Sequence, residues 1–457
     1  MNVFGASRTS RGRAVPRGLA AVGYRAALGL TAVTDLLSAD LRFGHMRRAL
    51  AALAMPGGLP AIPRSRLDAQ FREETAQPLP EPDLRCLLVA GPLDRGGVEA
   101  VVATLARGLP GQGIATEVVC TREGRTSSEL RAAGVRVTLR SAAELPQLVG
   151  ERDPDVVQLH RPDRELAASL LTTRVAVVPV FHAIESYLDA GTWTTLSALV
   201  SRPSVCVAVS AAVKAYFEDR LGSAAIHVVP NGVSGPPPGS GWERAAARRV
   251  VGDAVGAEIA DDDILVVALQ RFSDQKNPAG LVDAFLKGLA AEPRLRLVLA
   301  GSPENWLEVR RADLLRRASP LGGRVHLLGD SDPWVILRSG DLYALDSFAE
   351  GGPLSAVEAV MCGLPVVLSD VGFAGDLVAS AGVQGAVVSR ANSDYSQSAM
   401  ARERRRRHQS NYDEFGATLA EAARFSRSPD GFVPPIFTQG AMILEHATVL
   451  RAAARNP

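Results

Sequence analysis

The feature that most constrains this chain is a rhythm that is played through twice. Short continuous apolar runs alternate with stretches of helical spacing. The first series opens with "LRCLLVAG" at Leu84 and continues through "ATEVVCT", "VRVTL", "PDVVQLH", "VAVVPVFHA", "SVCVAVS" and "AIHVVPNG". After the first run, Val98, Val101, Val102, Leu105 and Leu109 recur at helical spacing, with Gly108 and Pro110 as stop signals. Unbroken apolar runs suit strands buried on both faces. Strands that alternate with helices imply a parallel sheet built from right-handed crossovers.

"GVSGPPPGSG" (232–241) interrupts the rhythm, which then resumes with "ILVVALQR", "LRLVLAGS", "RVHLLGD", "DLYALDS" and "LPVVLSD". At 457 residues the chain exceeds what one core ordinarily organises. The expectation is an α/β protein: two Rossmann-like domains facing across a cleft, over 84–240 and 241–430, with an N-terminal helical extension. Ligands in such sheets sit outside the carboxyl ends of the strands, so the loops after strands are where chemistry is sought.

The extension, residues 1–83, differs from the body. It has no acidic residue before Asp35 but carries Arg8, Arg11, Arg13, Arg17 and Arg25. Leu30, Val33 and Leu37 share one helical face, and Met46, Leu50 and Leu53 share another. Two amphipathic helices are expected, packed on the body in the favoured reading and touching a membrane surface or partner protein in the other. "MPGGLPAIPRS" and "QPLPEPD" read as a Pro-rich linker ending near Asp83.

Charge excludes some partners. Fifty basic residues against 49 acidic ones leave no overall field for nucleic acid or an anionic membrane. Cys86, Cys120, Cys206 and Cys362 are far apart with no C-x-x-C spacing, which argues for reduced thiols rather than a zinc site. No run of eighteen apolar residues occurs, so a spanning helix is not expected. The chain reads as cytoplasmic, with a peripheral place at the inner membrane face as the extension's alternative.

The most informative stretch is "FAEGGPLSAVEAVMCGLPVV" (348–367), just beyond the strand "LYALDS". Pro353 suits a first helical turn, and Gly351, Gly352 and Leu354 offer backbone amides to an anion at the helix N-terminus. Glu350 would face whatever carries that anion, and Glu358 would reach further along the same ligand. Carboxylates pair well with vicinal hydroxyls, so the pattern fits a phosphate flanked by two polyols: a nucleotide sugar. The competing reading makes Glu350 a helix cap and Glu358 a solvated residue. Two other segments bear on the choice. "LQRFSDQKNPAGLVDAF" puts Arg271 and Lys276 after a strand, suited to a diphosphate, and "DRGGVEA" puts Gly96 and Gly97 where a helix opens.

The order of these motifs resembles retaining glycosyltransferases of the GT-B fold, in the large group with an E-x7-E motif. "GGVE", "PDVVQLH", "VPVFHA", "VPNGV", "RFSDQK", "LVLAGS", "HLLGD" and "EGGPLSAVEAVMCGLPVV" carry the resemblance, over roughly residues 84–390. It implies that the first domain takes the acceptor and the second the donor, with residues 431–457 forming a helix that returns toward the first. Arg271 and Lys276 would hold the donor diphosphate, and Glu358 the ribose hydroxyls. Glu350 would contact the transferred sugar, with the Gly351, Gly352 and Leu354 amides on sugar oxygens or phosphate. His182 matches the family's histidine near the reaction centre, although by itself it also reads as a strand-end residue bonding backbone. Gly97, beside Gly96, would let the first domain close over the diphosphate. No cofactor is implied beyond the nucleotide-diphosphate sugar as co-substrate. The acceptor would be a glycan, a lipid-linked saccharide or a small molecule.

The chain also departs from that pattern. The family usually has Pro-Ser before the first glutamate, where this chain has "LDSFAE", and Asp330 follows "LLG" where an apolar or aromatic residue is commoner. "ARERRRRHQS" reads as a solvated basic helix face. "DDD" (261–263) reads as a solvent loop, Asp330 and Asp332 lack support as metal ligands, and no metal is expected. The spacing in "GPLDRGGVEA" does not suit an NAD-dependent oxidoreductase. A nucleotide-sugar epimerase of the same fold and a non-catalytic partner subunit with a retained donor cleft remain as alternatives.

Overall fold

The computed structural model describes residues 16–37, 58–64, 80–94, 96–202, 205–222, 225–235, 243–428 and 431–455. The helix expected around Met46, Leu50 and Leu53 lies outside these residues, as do Arg8, Arg11, Arg13 and residues 236–241.

Two parallel sheets form. The first contains β1 (Leu84–Leu93), β2 (Ile114–Glu123), β3 (Val137–Leu139), β4 (Val156–His160), β5 (Ala176–Phe181), β6 (Val205–Ala208) and β7 (Ala225–Val228), in spatial order β3-β2-β1-β4-β5-β6-β7. The second contains β8 (Ile264–Leu269), β9 (Leu295–Ala300), β10 (Val325–Leu328), β11 (Leu342–Leu345), β12 (Val366–Ser369) and β13 (Gly385–Val388), in order β10-β9-β8-β11-β12-β13. Each series begins in the middle of its sheet: β1 pairs with β2 and β4, and β8 with β9 and β11. In both, the strand order reverses beside the first strand, which opens a crevice at the carboxyl ends. The strands read from the apolar runs are all present. The additional one, β13, is a partly exposed edge strand.

The first sheet packs against helix Gly97–Gly108 and, on the same face, against helix Gln439–Ala454. Met442, Ala447 and Leu450 of the latter are buried with Val102 and Leu105 of the former. Chain segments cross between the domains where the Val233 amide donates to the Phe437 carbonyl at 2.9 Å and the Gln439 amide to the Val233 carbonyl at 3.1 Å. The neighbouring Gly232 allows the approach, since a Cβ there would sit 2.2 Å from the Thr438 carbonyl oxygen.

Helix Arg17–Thr34 packs on helix Trp306–Ala318 of the second domain. The contact face is not the one that the apolar spacing suggested. Ala20, Tyr24, Ala27, Thr31 and Thr34 are buried, whereas Leu30 and Val33 are exposed together with Leu19 and Val22. Small residues permit closer approach: a Cβ at Gly23 would already lie 3.1 Å from Leu314. The threonine hydroxyls are satisfied within the helix, on the Ala27 and Thr31 carbonyls. No helix among the described residues is long and apolar enough to cross a membrane.

Two other expectations need correction. The proline-rich residues 58–64 form a strap bonded to the loop after β10, with Ile62 in the second domain's core, rather than a free linker. The basic run is only partly solvated. Arg404 is buried and meets Glu308, Asp274 and Asp35 in ion pairs, and Arg311 joins through Glu308 and the Arg404 carbonyl. A guanidinium withdrawn from water is tolerated when its donors are opposed in this way.

Candidate active site

Two loops at the carboxyl edge of the second sheet build the centre of the site. The loop after β11 runs from Asp346 to Pro353, and the loop after β8 from Gln270 to Asn277. Polar contacts lock one to the other. The Phe348 amide donates to the Gln275 carbonyl at 2.9 Å, and Gln275 Nε2 donates to the Ala349 carbonyl at 2.7 Å. Beneath them Asp346 accepts from Asn277 Nδ2 at 3.1 Å and from Asn411 Nδ2 at 2.8 Å. Burial pushes the Asp346 carboxyl up to about 7 against those bonds. These residues occupy the positions where "LDSFAE" departs from the Pro-Ser pattern.

On that platform Lys276 Nζ lies 2.5 and 2.6 Å from the two oxygens of Glu350. Ser347 Oγ donates to Glu350 at 2.7 Å, and its own carbonyl accepts from Ser369 Oγ at 2.9 Å. Glu350 is therefore a buried, fixed acceptor and not a helix cap. Pro353 stands at the N-cap of helix Leu354–Met361 rather than within its first turn. The amides of Gly351, Gly352 and Leu354 have no hydrogen-bond acceptor among the described residues. Unspent donors at a helix N-terminus favour negative charge.

Glu358 lies one turn along that helix, and its carboxylate has no hydrogen-bond partner among the described residues. Burial pushes it up to about 7, with the charge of Arg64 opposing the rise. It is partly buried rather than fully solvated as in the competing reading. Arg271 is half exposed and gives Nη1 to both oxygens of Glu304 at 2.9 Å, so a ligand would have to compete with Glu304 for it. Its charge also senses Glu350 and, across the cleft, Glu99.

The first domain meets this centre at two points. A Cβ at Gly351 would lie 1.8 Å from the His182 carbonyl oxygen, so only glycine admits the strand-end loop there. A Cβ at Gly97 would come 3.8 Å from Leu354 Cδ1, so the first residues of the two helices lie close together. Gly96 caps the first-domain helix; a Cβ there would crowd the Glu99 carboxylate. Gly352 is held tight against Phe373. The structure thus gathers His182, Lys276, Glu350, Gly97, Gly351, Gly352 and Leu354, with Arg271 and Glu358 at the margins.

Sequence reasoning missed what lies behind His182. Its Nε2 is 2.9 Å from His160 Nδ1; His160 Nε2 is 3.2 Å from Gln158 Oε1; and Gln158 Nε2 is 2.9 Å from His446 Nδ1. Burial pushes His182 down to about 3 and His446 to about 4, and holds His160 well below its ordinary range. All three rings are therefore neutral, and the bonds must run in one direction. With Gln158 assigned as above, each ring takes one tautomer, and His182 Nδ1 is left as a buried acceptor with no partner. The signal was available: Gln158 and His160 lie two apart, on one face of a strand otherwise wholly apolar.

Asp332 caps helix Pro333–Ser339, Asp330 pairs with Arg64, and Asp263 pairs with Arg296 and Arg324. Asp263, Asp330 and Asp332 are thus held by cations or amides.

Comparison with known proteins follows this division of the chain. Residues 95–234 match the family model described as Glycosyltransferase Family 4, and residues 255–424 the one described as Glycosyl transferases group 1. A stretch of 134 residues is 34% identical to the D-inositol 3-phosphate glycosyltransferase of Mycobacterium tuberculosis, covering 28% of this chain and 27% of that protein. The chain thus aligns with about a quarter of the length of such curated relatives. Among solved structures, a glycosyltransferase from Rickettsia africae superposes with a TM-score of 0.61 at 15% identity, over 82% of this chain and 100% of that one. Anabaena Alr3699/HepE in complex with UDP-glucose gives 0.59 at 19% identity, over 81% and 100%. At these identities the likeness is one of fold, and that fold is GT-B.

Proposed function

We propose that the two glycosyltransferase domains of this chain act together as a retaining glycosyltransferase that uses a nucleotide-diphosphate sugar. The observation that carries the reading is the Lys276–Glu350 pair at the open N-terminus of helix Leu354–Met361, with the unpartnered Glu358 one turn further on. Lys276, Arg271 and the helix amides take the donor diphosphate. They gain most as charge builds on the leaving phosphate, which is the differential stabilisation catalysis requires. Glu350 receives hydroxyls of the transferred sugar, and Glu358 those of the ribose. His182, held by His160, offers Nδ1 to a sugar hydroxyl from the first-domain side. The anomeric configuration is retained through attack on the face the phosphate leaves, with that phosphate assisting deprotonation. Side-chain cations supply the positive charge, and the reading includes no metal. The Anabaena protein's complexes with UDP and UDP-glucose favour a uridine donor. The acceptor class stays as broad as glycan, lipid-linked saccharide or small molecule.

Titration calorimetry of UDP, GDP and ADP tests the reading. One of them should bind, and Lys276→Ala should weaken it about tenfold through loss of a charge-assisted contact. Glu350→Ala should cut turnover more than nucleotide affinity. Unchanged binding in Lys276→Ala would remove the diphosphate assignment.

A further inference from the structure

Residues 58–64 lie outside both matched glycosyltransferase stretches, yet they sit on the rim of the donor side. The Gly329 amide donates to the Pro60 carbonyl at 2.7 Å, and the Asp332 amide to the Ile62 carbonyl at 3.0 Å. The Ile62 amide donates to Ser331 Oγ at 3.1 Å. Ile62 is 4% exposed and shares a core with Leu328, Val335 and Ile336. The strap is therefore part of the second domain's fold, lying across the carboxyl end of β10, where a parallel sheet receives ligands.

Arg64 ends the strap. Its guanidinium is 3.0 Å from Asp330, 39% of its side chain is exposed, and its charge reaches Glu358. The extension touches the donor loops a second time, because Asp35 and Asp274 share Arg404. Glu358 lies one turn along the helix that follows Glu350, and the Arg64 charge reaches it. If Lys276 and Glu350 take the sugar and diphosphate and Glu358 the ribose, Arg64 stands where the base must lie.

We propose that the strap forms the base end of the nucleotide site and that Arg64 reads the base; this rests on the donor-site reading above. The Gly329 and Asp332 amides are already spent on the strap, and the Arg64 side chain is the strap's polar group at this edge. A guanidinium offers donors only. It suits the carbonyl edges of uracil or guanine and opposes the amino group of adenine, and its plane stacks on any of them. Asp330 holds it in place, which lowers the ordering cost of binding.

The test is calorimetric titration of wild type and Arg64→Ala with UDP, GDP, ADP and inorganic pyrophosphate. Wild type should bind UDP or GDP about tenfold more tightly than ADP, in line with one good polar contact to a base. Arg64→Ala should lose that preference and leave pyrophosphate affinity unchanged. Arg64→Lys, which keeps charge and stem, should fall between them, and thermal melting shows whether either variant folds. Binding of no nucleotide by wild type overturns the transferase reading and this inference with it. Equal affinities and preference in wild type and Arg64→Ala overturn this inference alone. Tighter binding by Arg64→Ala also overturns it, by making the strap a plug.

Discussion

Two groups of charges in the second domain are built from the same residue types and differ in how completely they are spent. Around Arg404, two guanidiniums face Glu308, Asp35 and Asp274, all buried, and a carbonyl takes a further donor. In the cleft, Lys276 and Glu350 are matched, but Glu358 has no bonded partner among the described residues and Arg271 is half exposed. A completed set of charges fixes structure, because breaking it strands a charge away from water. An incomplete one costs stability instead. Burial separates the two as well: the Arg404 cluster is withdrawn from water, whereas Arg271 and Glu358 keep part of their surface in it.

That contrast can be broken most forcefully at Arg404. Arg404→Leu strands buried carboxylates, and denaturant unfolding should show a loss of about 3–5 kcal/mol. A loss below about 1 kcal/mol would mean that the cluster is no more structural than a surface pair.

The complementary change is Glu358→Gln, which should cost no stability while weakening nucleotide binding about tenfold. Its pH dependence sharpens the point. The folded value of about 7 lies above the ordinary 4.5, so folding takes up a proton between those limits. The contribution of this carboxyl is fully present below about 4.5 and lost as pH rises through about 7. Glu358→Gln should therefore match wild type at pH 4 and exceed it at pH 8. Equal stability at both would show Glu358 to be an ordinary solvated carboxylate.

The most gradual effect belongs to the neutral histidine chain behind His182. His446 is depressed to about 4 from 6.5, so its share of stability is present above about 6.5 and lost as pH falls through about 4. His446→Gln keeps an acceptor for Gln158 and removes one titrating ring. Between these pH values its stability should fall less steeply than that of wild type, by about 1.4 kcal/mol per pH unit. Parallel curves would mean that His446 is already charged.

Legibility followed the same line between apolar and polar detail. Apolar runs announce strands, the exposed β3 and β7 included, so twelve of the thirteen were readable and the edge strand β13 was not. Glu350, Glu358, Arg271 and Lys276 could be named because their loops follow such strands. Their states could not: nothing in "RFSDQK" says that Glu304 holds Arg271 while Glu350 holds Lys276. Arg404 looked like its neighbours in a basic run, because burial is decided by residues far away in sequence. The helix Arg17–Thr34 misled for a related reason. Large apolar residues dominate a spacing argument, whereas close helix contact selected alanines, a tyrosine and threonines.

Helix Gln439–Ala454 has a consequence for how the protein is made. It supplies Met442, Ala447, Val449, Leu450 and Ala453 to the core of the first sheet, some two hundred residues after that sheet's last strand. Synthesis from the amino end normally lets the earlier domain fold first. Here the earlier domain emerges with part of one sheet face, beside helix Gly97–Gly108, uncovered, and it stays so until the later domain has been translated. The second domain can close its core while the first is still waiting, so completion runs against the direction of synthesis. During that interval the uncovered apolar face is the surface a chaperone would have to shield.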